Sequence, residues 1–325
     1  MSMATILVTG GAGFIGSHVA AELLRRGHAV RVLDNFSTGS RKNLAAVGGE
    51  VELVEGDIRS YERTHAATKG VDCVIHLAAL PSVPRSIQDP LTTNEVNVTG
   101  TLNVVLAARD AGTQRVVFAS SSSVYGRAQE LPKTEKLVPQ PISPYGVSKL
   151  AAEQYCMGLN AVYGIEVAAL RYFNVFGPRQ DPSSQYSGVI PKFLSQALDG
   201  VPLVVYGDGA QSRDFTYVDN VVAATLSASE RRLDGPLICN VGCGSAHTVI
   251  ALAEAVGRVA ERAVQIEYVP ARPGDVLHSF ADITLAREAL GYKPTVDLEE
   301  GLERTLDWML TERPAGLPAA LSEKR

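Results

Sequence analysis

The amino-acid sequence predicts an α/β fold: a doubly wound parallel sheet with a smaller C-terminal lobe. Three observations predict it. Short β-branched runs alternate with helix-patterned segments through the first half of the chain. A glycine triplet falls in the first strand-to-helix turn. After about residue 175 the alternation gives way to shorter, less regular segments.

Thr5–Thr9 (TILVT) is the first strand, and Phe14 to Arg26 follows with Ile15, Val19, Leu23 and Leu24 on one helical face. Ala29–Leu33, Val51–Glu55 and Val71–Leu77 read as the next three strands. A helix pattern covers Pro90 to Ala111, Arg115–Ser120 is a fifth strand, Lys149 to Tyr163 a further helix and Glu166–Arg171 a sixth strand. The Gly-, Pro-, Ser- and Gln-rich stretch Gly177–Gly188 reads as a loop. The expected division is residues 1–175 for the sheet domain, with segments near 214–242 returning to it, 176–313 for the second lobe, and 314–325 for a flexible tail.

Composition narrows the function. With 325 residues, 46% of them apolar, the chain can bury a full core; its net charge of −5 argues against binding along a nucleic-acid backbone. The N-terminus enters a strand directly, with no signal peptide, and no apolar run approaches the ~20 residues of a membrane span, so a cytoplasmic location is expected. Of the four cysteines, Cys73 and Cys239 sit in apolar runs; Cys239 and Cys243 have no further Cys or His cluster close by in sequence, and no metal site is expected. Disulfides are not expected either, which fits a reducing compartment.

The first turn reads TGGAGFIG, with Gly10, Gly13 and Gly16 spaced G-x-x-G-x-x-G. A tight turn needs residues tolerant of positive φ, and missing side chains let a pyrophosphate approach the backbone. The helix that follows, opening at Phe14 and Ile15, offers amides and dipole to that anion. Glycine-rich turns often merely turn; strand before, helix after and a position at the start of a βαβ unit are the context a Rossmann dinucleotide site requires. Asp34 closes the second strand, about 20 residues on, where a carboxylate accepts ribose hydroxyls and repels a 2′-phosphate, favouring NAD over NADP. The competing readings are that Asp34 only caps a turn, and that nearby Arg31 and Arg41 receive such a phosphate. Asp57 and Ile58 would flank the adenine, and Leu77, Ala78 and Ala79 end the fourth strand where small residues leave room for the cofactor.

Tyr145 and Lys149 form Tyr-x-x-x-Lys, which on a helix puts both on one face. A lysine beside a phenol favours phenolate, so Lys149 is expected to lower the Tyr145 pKa and ready it to take a proton from a substrate hydroxyl. Ser121, at the end of the fifth strand, would hold the same hydroxyl. Alone the spacing is common; beside the glycine turn and the strand-end serine it reads as a catalytic group.

These segments together with TGGAGFIGSH, LDNFSTG, EGDI, HLAA, SSSSVYG, SPYGVSK, LRYFNVFGPRQDP, YGDG, SRDFTYVDN and RPGDVLHSFAD resemble the extended short-chain dehydrogenase/reductases, in particular the NAD-dependent epimerase/dehydratase family, over about residues 4–310. Within it the chain is most similar to UDP-hexose 4-epimerases, especially those accepting N-acetylhexosamines. The resemblance implies tightly bound NAD, further cofactor contacts at Asn35 and Tyr172, and a homodimer through a four-helix interface. It implies a UDP-sugar site at Ser82, Ser121, Ser122, Tyr145, Asn174, Val189, Lys192, Tyr206, Arg213, Arg272, Asp275 and Ser279. Here Arg213 and Arg272 would clamp the diphosphate, Asp275 the uridine ribose, and Ser279 would leave room for a C2 N-acetyl group. Dehydratases and decarboxylases of this kind carry an acid in the segment that here reads SSSSVYG, so the implied reaction is inversion at C4 alone. Pro81 departs from the pattern, standing where glucose/galactose epimerases often have lysine. Other readings are an epimerase or reductase acting on UDP-glucuronate or a dTDP-sugar, a non-catalytic dinucleotide sensor, and an assembly role for the apolar helices bearing Val104, Val105, Leu106, Leu150, Ala151 and Ala152. For those helices, burial inside the monomer is the competing expectation.

Overall fold

The computed structural model describes residues 3–181, 188–271 and 276–312. Strands β1 (Thr5–Thr9), β2 (Ala29–Asp34), β3 (Glu52–Glu55), β4 (Cys73–His76), β5 (Arg115–Ser121) and β6 (Glu166–Tyr172) join a last strand, Leu237–Val241, in one seven-stranded sheet. The spatial order is Leu237–Val241, β6, β5, β4, β1, β2, β3, and every neighbouring pair is parallel. The order reverses between β1 and β4. At such a switch point a ligand finds a crevice beyond the carboxyl ends of the strands.

Both faces of the central strands are covered, which is why β1 and β4 are buried almost throughout, whereas the edge strand β3 (ELVE) is largely exposed. The helices are α1 (Phe14–Arg25), α2 (Arg41–Ala45), α3 (Tyr61–Thr68), α4 (Val83–Gln88), α5 (Pro90–Asn94), α6 (Gly100–Asp110) and α7 (Pro144–Tyr163). Alternation along β1 sends Ile6 and Val8 to one side, against Val19 and Leu23 of α1 and Val221 and Val222 of helix Val218–Glu230. Leu7 goes to the other side, with Ala67 of α3, Val104 and Val105 of α6, and Ala152 and Cys156 of α7. Val104, Val105 and Ala152 are thus wholly buried within the protomer, and monomer burial rather than a dimer contact explains these three.

Two helices differ from expectation. The pattern Pro90 to Ala111 is not one α-helix: α5 and α6 are joined by a π turn, Glu95–Thr99. Asn97 in that turn is held by both backbone groups of Leu80, and the widened turn brings it there. Helix α7 starts at Pro144 rather than Lys149. Ser143 caps it, accepting from the Gly146 amide at 3.1 Å, and Pro144 supplies a preset φ at the first helical position. Tyr145 therefore lies in the first turn of the helix and Lys149 in the second.

Among the described residues three small sheets lie outside the large one, the shortest pairing Val175–Phe176 with Thr216–Tyr217. Leu203–Tyr206 pairs with Ile266–Val269, and Ser212–Arg213 lies between His247–Thr248 and His278–Ser279. Helices Val189–Asp199, Val249–Val259 and Leu298–Glu312 pack with them. Among the described residues no helix is long and apolar enough to cross a membrane, and no group of His, Cys, Asp and Glu is arranged to hold a metal ion.

Candidate active site

The site opens where β1 ends. Gly10 has φ +73° and donates its amide to the Leu33 carbonyl at 2.8 Å, tying the turn to β2. A Cβ on Gly10 would lie 2.7 Å from the Ala78 nitrogen, and one on Gly16 only 2.1 Å from the Gly10 oxygen. Both positions therefore exclude any side chain. Gly13 caps α1 with no side chain over the helix end, leaving the first-turn amides, Phe14 and Ile15 among them, to an outside acceptor.

Asp34 accepts from the Ala12 amide at 2.9 Å and the Phe36 amide at 2.8 Å. The carboxylate thus braces the glycine turn from β2, the turn-capping use that the sequence left open. Asn35 donates to Asp57 at 2.8 Å, and hydrogen bonding from Arg59 holds the Asp57 carboxyl below the usual carboxylate range. Ile58 is buried beneath Gly100. Leu77, Ala78 and Ala79 are half-buried beside the turn. Neither nearby arginine is positioned for a 2′-phosphate. Arg31 bonds the carbonyls of Ala67 and Lys69 and pairs with Glu52, while Arg41 pairs with Glu55 and lies over the Phe36 ring. Helix-end amides open to an acceptor, a floor where a Cβ would clash, and the pairing of both Arg31 and Arg41 with other groups all fit NAD.

Next to this cradle, β5 and α7 bring the catalytic candidates together. Ser121 ends β5, and its hydroxyl accepts from the Ser123 amide at 3.1 Å. The Tyr145 hydroxyl is hydrogen-bonded to Ser121, and the Tyr145 amide donates to Ser86 at 3.0 Å. Lys149 is buried, donates to the Ala119 carbonyl at 2.8 Å and sits 5.0 Å from the Phe118 ring centre. Burial pushes the Lys149 ammonium down to about 8 and pushes the Tyr145 phenol up; its bond to Ser121 opposes the rise. The expected lowering of the phenol by Lys149 is therefore not what the site shows. Spacing put the pair on one face, but burial sets both shifts, and neither group is among the causes of the other's.

Sequence reasoning missed what lies one turn further along α7. Glu153 is fully buried and accepts from Arg171 of β6 at 2.6 and 3.0 Å and from Ser120 at 2.6 Å. Arg171 also donates to the Tyr125 hydroxyl at 3.0 Å, which donates to Asn240 at 2.6 Å. The signal was present: Tyr145, Lys149 and Glu153 continue one stripe at spacing i, i+4.

The substrate candidates are spread around this centre. Ser82 caps α4, accepting from the Arg85 amide at 3.1 Å, and Ser122 is half-buried next to Ser121. Asn174 has φ +29° and donates to the Asp214 carbonyl at 3.3 Å. Val189 and Lys192 lie in the first turn of helix Val189–Asp199, and Tyr206 is exposed at the end of its strand. Arg213 stands opposite Ser279 in the strand register and donates to the carbonyls of Ser212 and Leu277. Arg272 and Asp275 lie outside the described residues. Tyr172 requires a correction. Its ring is buried and its hydroxyl is 2.7 Å from that of Thr225 on helix Val218–Glu230, so only its backbone, opposite Ser121, faces the strand end. The alternating strand pleat turns its side chain into the core.

Comparison with known proteins agrees with this geometry. The solved UDP-N-acetylglucosamine 4-epimerase of Methanobrevibacter ruminantium, in complex with UDP-N-acetylmuramic acid, is similar at 39% identity and TM-score 0.92, over 96% of this chain and 100% of that one. The UDP-glucose 4-epimerase of Thermus thermophilus, solved with NAD, gives 38% identity and TM-score 0.87 over 94% and 99%. A UDP-N-acetyl-α-D-glucosaminuronate decarboxylase of Bacillus cytotoxicus is 34% identical over 93% of this chain and 96% of its own. The profile of the NAD dependent epimerase/dehydratase family matches residues 6–242, and the chain belongs to that family.

Proposed function

We propose that the protein is an NAD-dependent 4-epimerase of UDP-hexoses, interconverting UDP-GlcNAc and UDP-GalNAc and accepting UDP-glucose and UDP-galactose, through a transient 4-keto sugar. One observation carries the choice of reaction. Ser121, Tyr145 and Lys149 are assembled, while the segment Ser120–Ser123 brings no carboxylate of its own to the reacting carbon. The Glu153 carboxylate that reaches Ser120 is fully buried and held by Arg171, so it is not available as a second base.

When bound at the glycine turn, NAD supplies a reversible hydride acceptor for C4. Tyr145 takes the C4 hydroxyl proton and returns it after the keto sugar has turned over in the pocket. Ser121 holds that oxygen in line with the phenol. The Lys149 ammonium stabilises negative charge developing on Tyr145, and a pKa near 8 keeps it mostly charged at neutral pH. Arg213, with Arg272, suits the diphosphate because a guanidinium donates along two parallel directions. Buried Ser279 offers the acetamido group a small neighbour.

The exposed apolar side chains Ile87 of α4, Leu91 of α5, and Val147, Tyr155 and Val162 of α7 support a homodimer through these helices. The four cysteines are free, three of them buried, which suits a reducing cytoplasm. The test is product analysis on a panel of UDP- and dTDP-sugars without added cofactor. Interconversion of the acetylated pair is the expected result. Turnover of UDP-glucuronate or a dTDP-sugar in preference to both UDP-hexose pairs would replace this assignment.

A further inference from the structure

Outside the catalytic trio, His76 is a buried polar group whose hydrogen bonds lead toward both halves of the site. It is the last residue of β4 and 1% exposed. Its Nδ1 lies 2.7 Å from the Thr9 hydroxyl and its Nε2 2.9 Å from the Thr101 hydroxyl.

The protons can be placed by elimination. The Thr101 hydroxyl is 2.6 Å from the Asn97 carbonyl, which can only accept, so its single hydrogen is spent there. Its oxygen must then accept from His76, and Nε2 carries the hydrogen. Burial, with the Lys149 charge adding to it, pushes the imidazole down to about 3, so the ring is neutral and Nδ1 is an acceptor. Thr9 therefore donates to Nδ1, and its oxygen is left to receive the Ala78 amide at 3.3 Å.

The chain of contacts continues. Asn97 accepts from the Leu80 amide at 2.8 Å and donates to the Leu80 carbonyl at 3.3 Å and to Ser148 at 3.0 Å. Ser148 donates to the Tyr145 carbonyl at 2.8 Å. One polar path thus runs from Thr9, next to Gly10, through His76 and the π turn to the first turn of α7.

We infer that His76 is a positioning residue: it sets the spacing of the Gly10 and Ala78 backbones that receive the cofactor and couples them to Tyr145. The tolerance is small, since a Cβ on Gly10 would already touch the Ala78 nitrogen. An apolar residue would fill β4 without the cost of burying an imidazole; what the histidine adds at this position is its two hydrogen bonds. The inference rests on NAD occupying the glycine turn and does not depend on which sugar is used.

Four variants separate the two ends of the ring. In His76→Asn the amide oxygen can replace Nδ1 toward Thr9 while the Thr101 bond is lost. In His76→Gln the amide nitrogen can replace Nε2 while the Thr9 bond is lost. Thr9→Val removes the hydroxyl, and Thr9→Ser keeps it. NAD retained per protomer and the NAD dissociation constant are measured on purified protein without sugar; kcat and KM follow on the preferred substrate. The expected result is that His76→Gln and Thr9→Val weaken NAD binding about tenfold, Thr9→Ser restores it, and His76→Asn keeps NAD but loses about tenfold in kcat. The inference is overturned if all four stay within about twofold of the parent, or if Thr9→Ser is as impaired as Thr9→Val. NAD affinity answers this question even where the sugar assignment fails, and the parent enzyme on the sugar panel answers that one separately.

Discussion

Lys149 donates its ammonium to the Ala119 carbonyl at 2.8 Å, while the neighbouring Tyr145 hydroxyl bonds to Ser121. The lysine is fixed to the end of β5, in surroundings that disfavour its charge. That arrangement has a measurable cost. An unfolded chain keeps the Lys149 proton up to 10.5, the folded chain only to about 8. Between those values the unfolded state binds more protons, so this contribution makes stability rise with pH. The penalty is full below about 8 and relieved by about 10.5. Lys149→Met is expected to be more stable than the parent at pH 7 by up to about 3 kcal/mol, with the gap closing as pH rises. Urea denaturation of both proteins, freed of NAD, at pH 7 and pH 9.5 measures it; a gap independent of pH would contradict the assignment.

Tyr145→Phe should lower turnover by about 10²–10⁴ and leave NAD retention unchanged. The phenol ring is packed beside Ser121, and the backbone is held independently by Ser86, so phenylalanine keeps the shape and removes only the hydroxyl. Steady-state epimerisation together with NAD content per protomer checks both halves. Turnover close to the parent's would remove Tyr145 from the chemistry.

The buried Glu153–Arg171 pair links α7 to β6. Removing one partner strands the other charge, so Glu153→Ala should cost about 3–5 kcal/mol in urea denaturation. The double variant Glu153→Met, Arg171→Met should recover most of that stability, since both charges leave together. Its turnover is expected to remain depressed, because Ser120 and Tyr125 lose the partners that hold the end of β5 against α7. Full turnover in the double variant would show that the pair does not help to place Tyr145.

What the sequence disclosed and what it withheld divide along physical lines. β1 was readable to the residue, because its five positions are β-branched or apolar and a glycine turn follows. The glycine turn, Ser121 and the Tyr145–Lys149 pair were readable because backbone geometry and helical period dictate them. The starting point of α7 was also written in Ser143 and Pro144, although the apolar pattern drew attention to Lys149. The π turn at Glu95–Thr99 was not legible, since it depends on Asn97 reaching Leu80 across space. The Lys149 and Tyr145 pKa directions, the side-chain direction of Tyr172 and the occupied carboxylate of Asp34 are likewise set by tertiary burial and by donors distant in sequence.

Ser279 offers the sharpest test of sugar choice. Its backbone cannot easily withdraw: its carbonyl receives the Asp214 amide at 3.0 Å, and the next carbonyl, of Phe280, receives the Lys133 amide at 2.8 Å. The strand register keeps it opposite Arg213, the proposed diphosphate clamp. A tyrosine side chain at this position must therefore extend from a fixed backbone rather than shift the strand. If that space takes the C2 substituent, Ser279→Tyr should reduce kcat/KM for UDP-GlcNAc at least about tenfold more than for UDP-glucose, the range expected when one substituent no longer fits. Measuring both substrates on the same preparation cancels any general loss of folding. Equal loss on both would mean that Ser279 does not border the acetamido group, and the preference for acetylated sugars would then need another source.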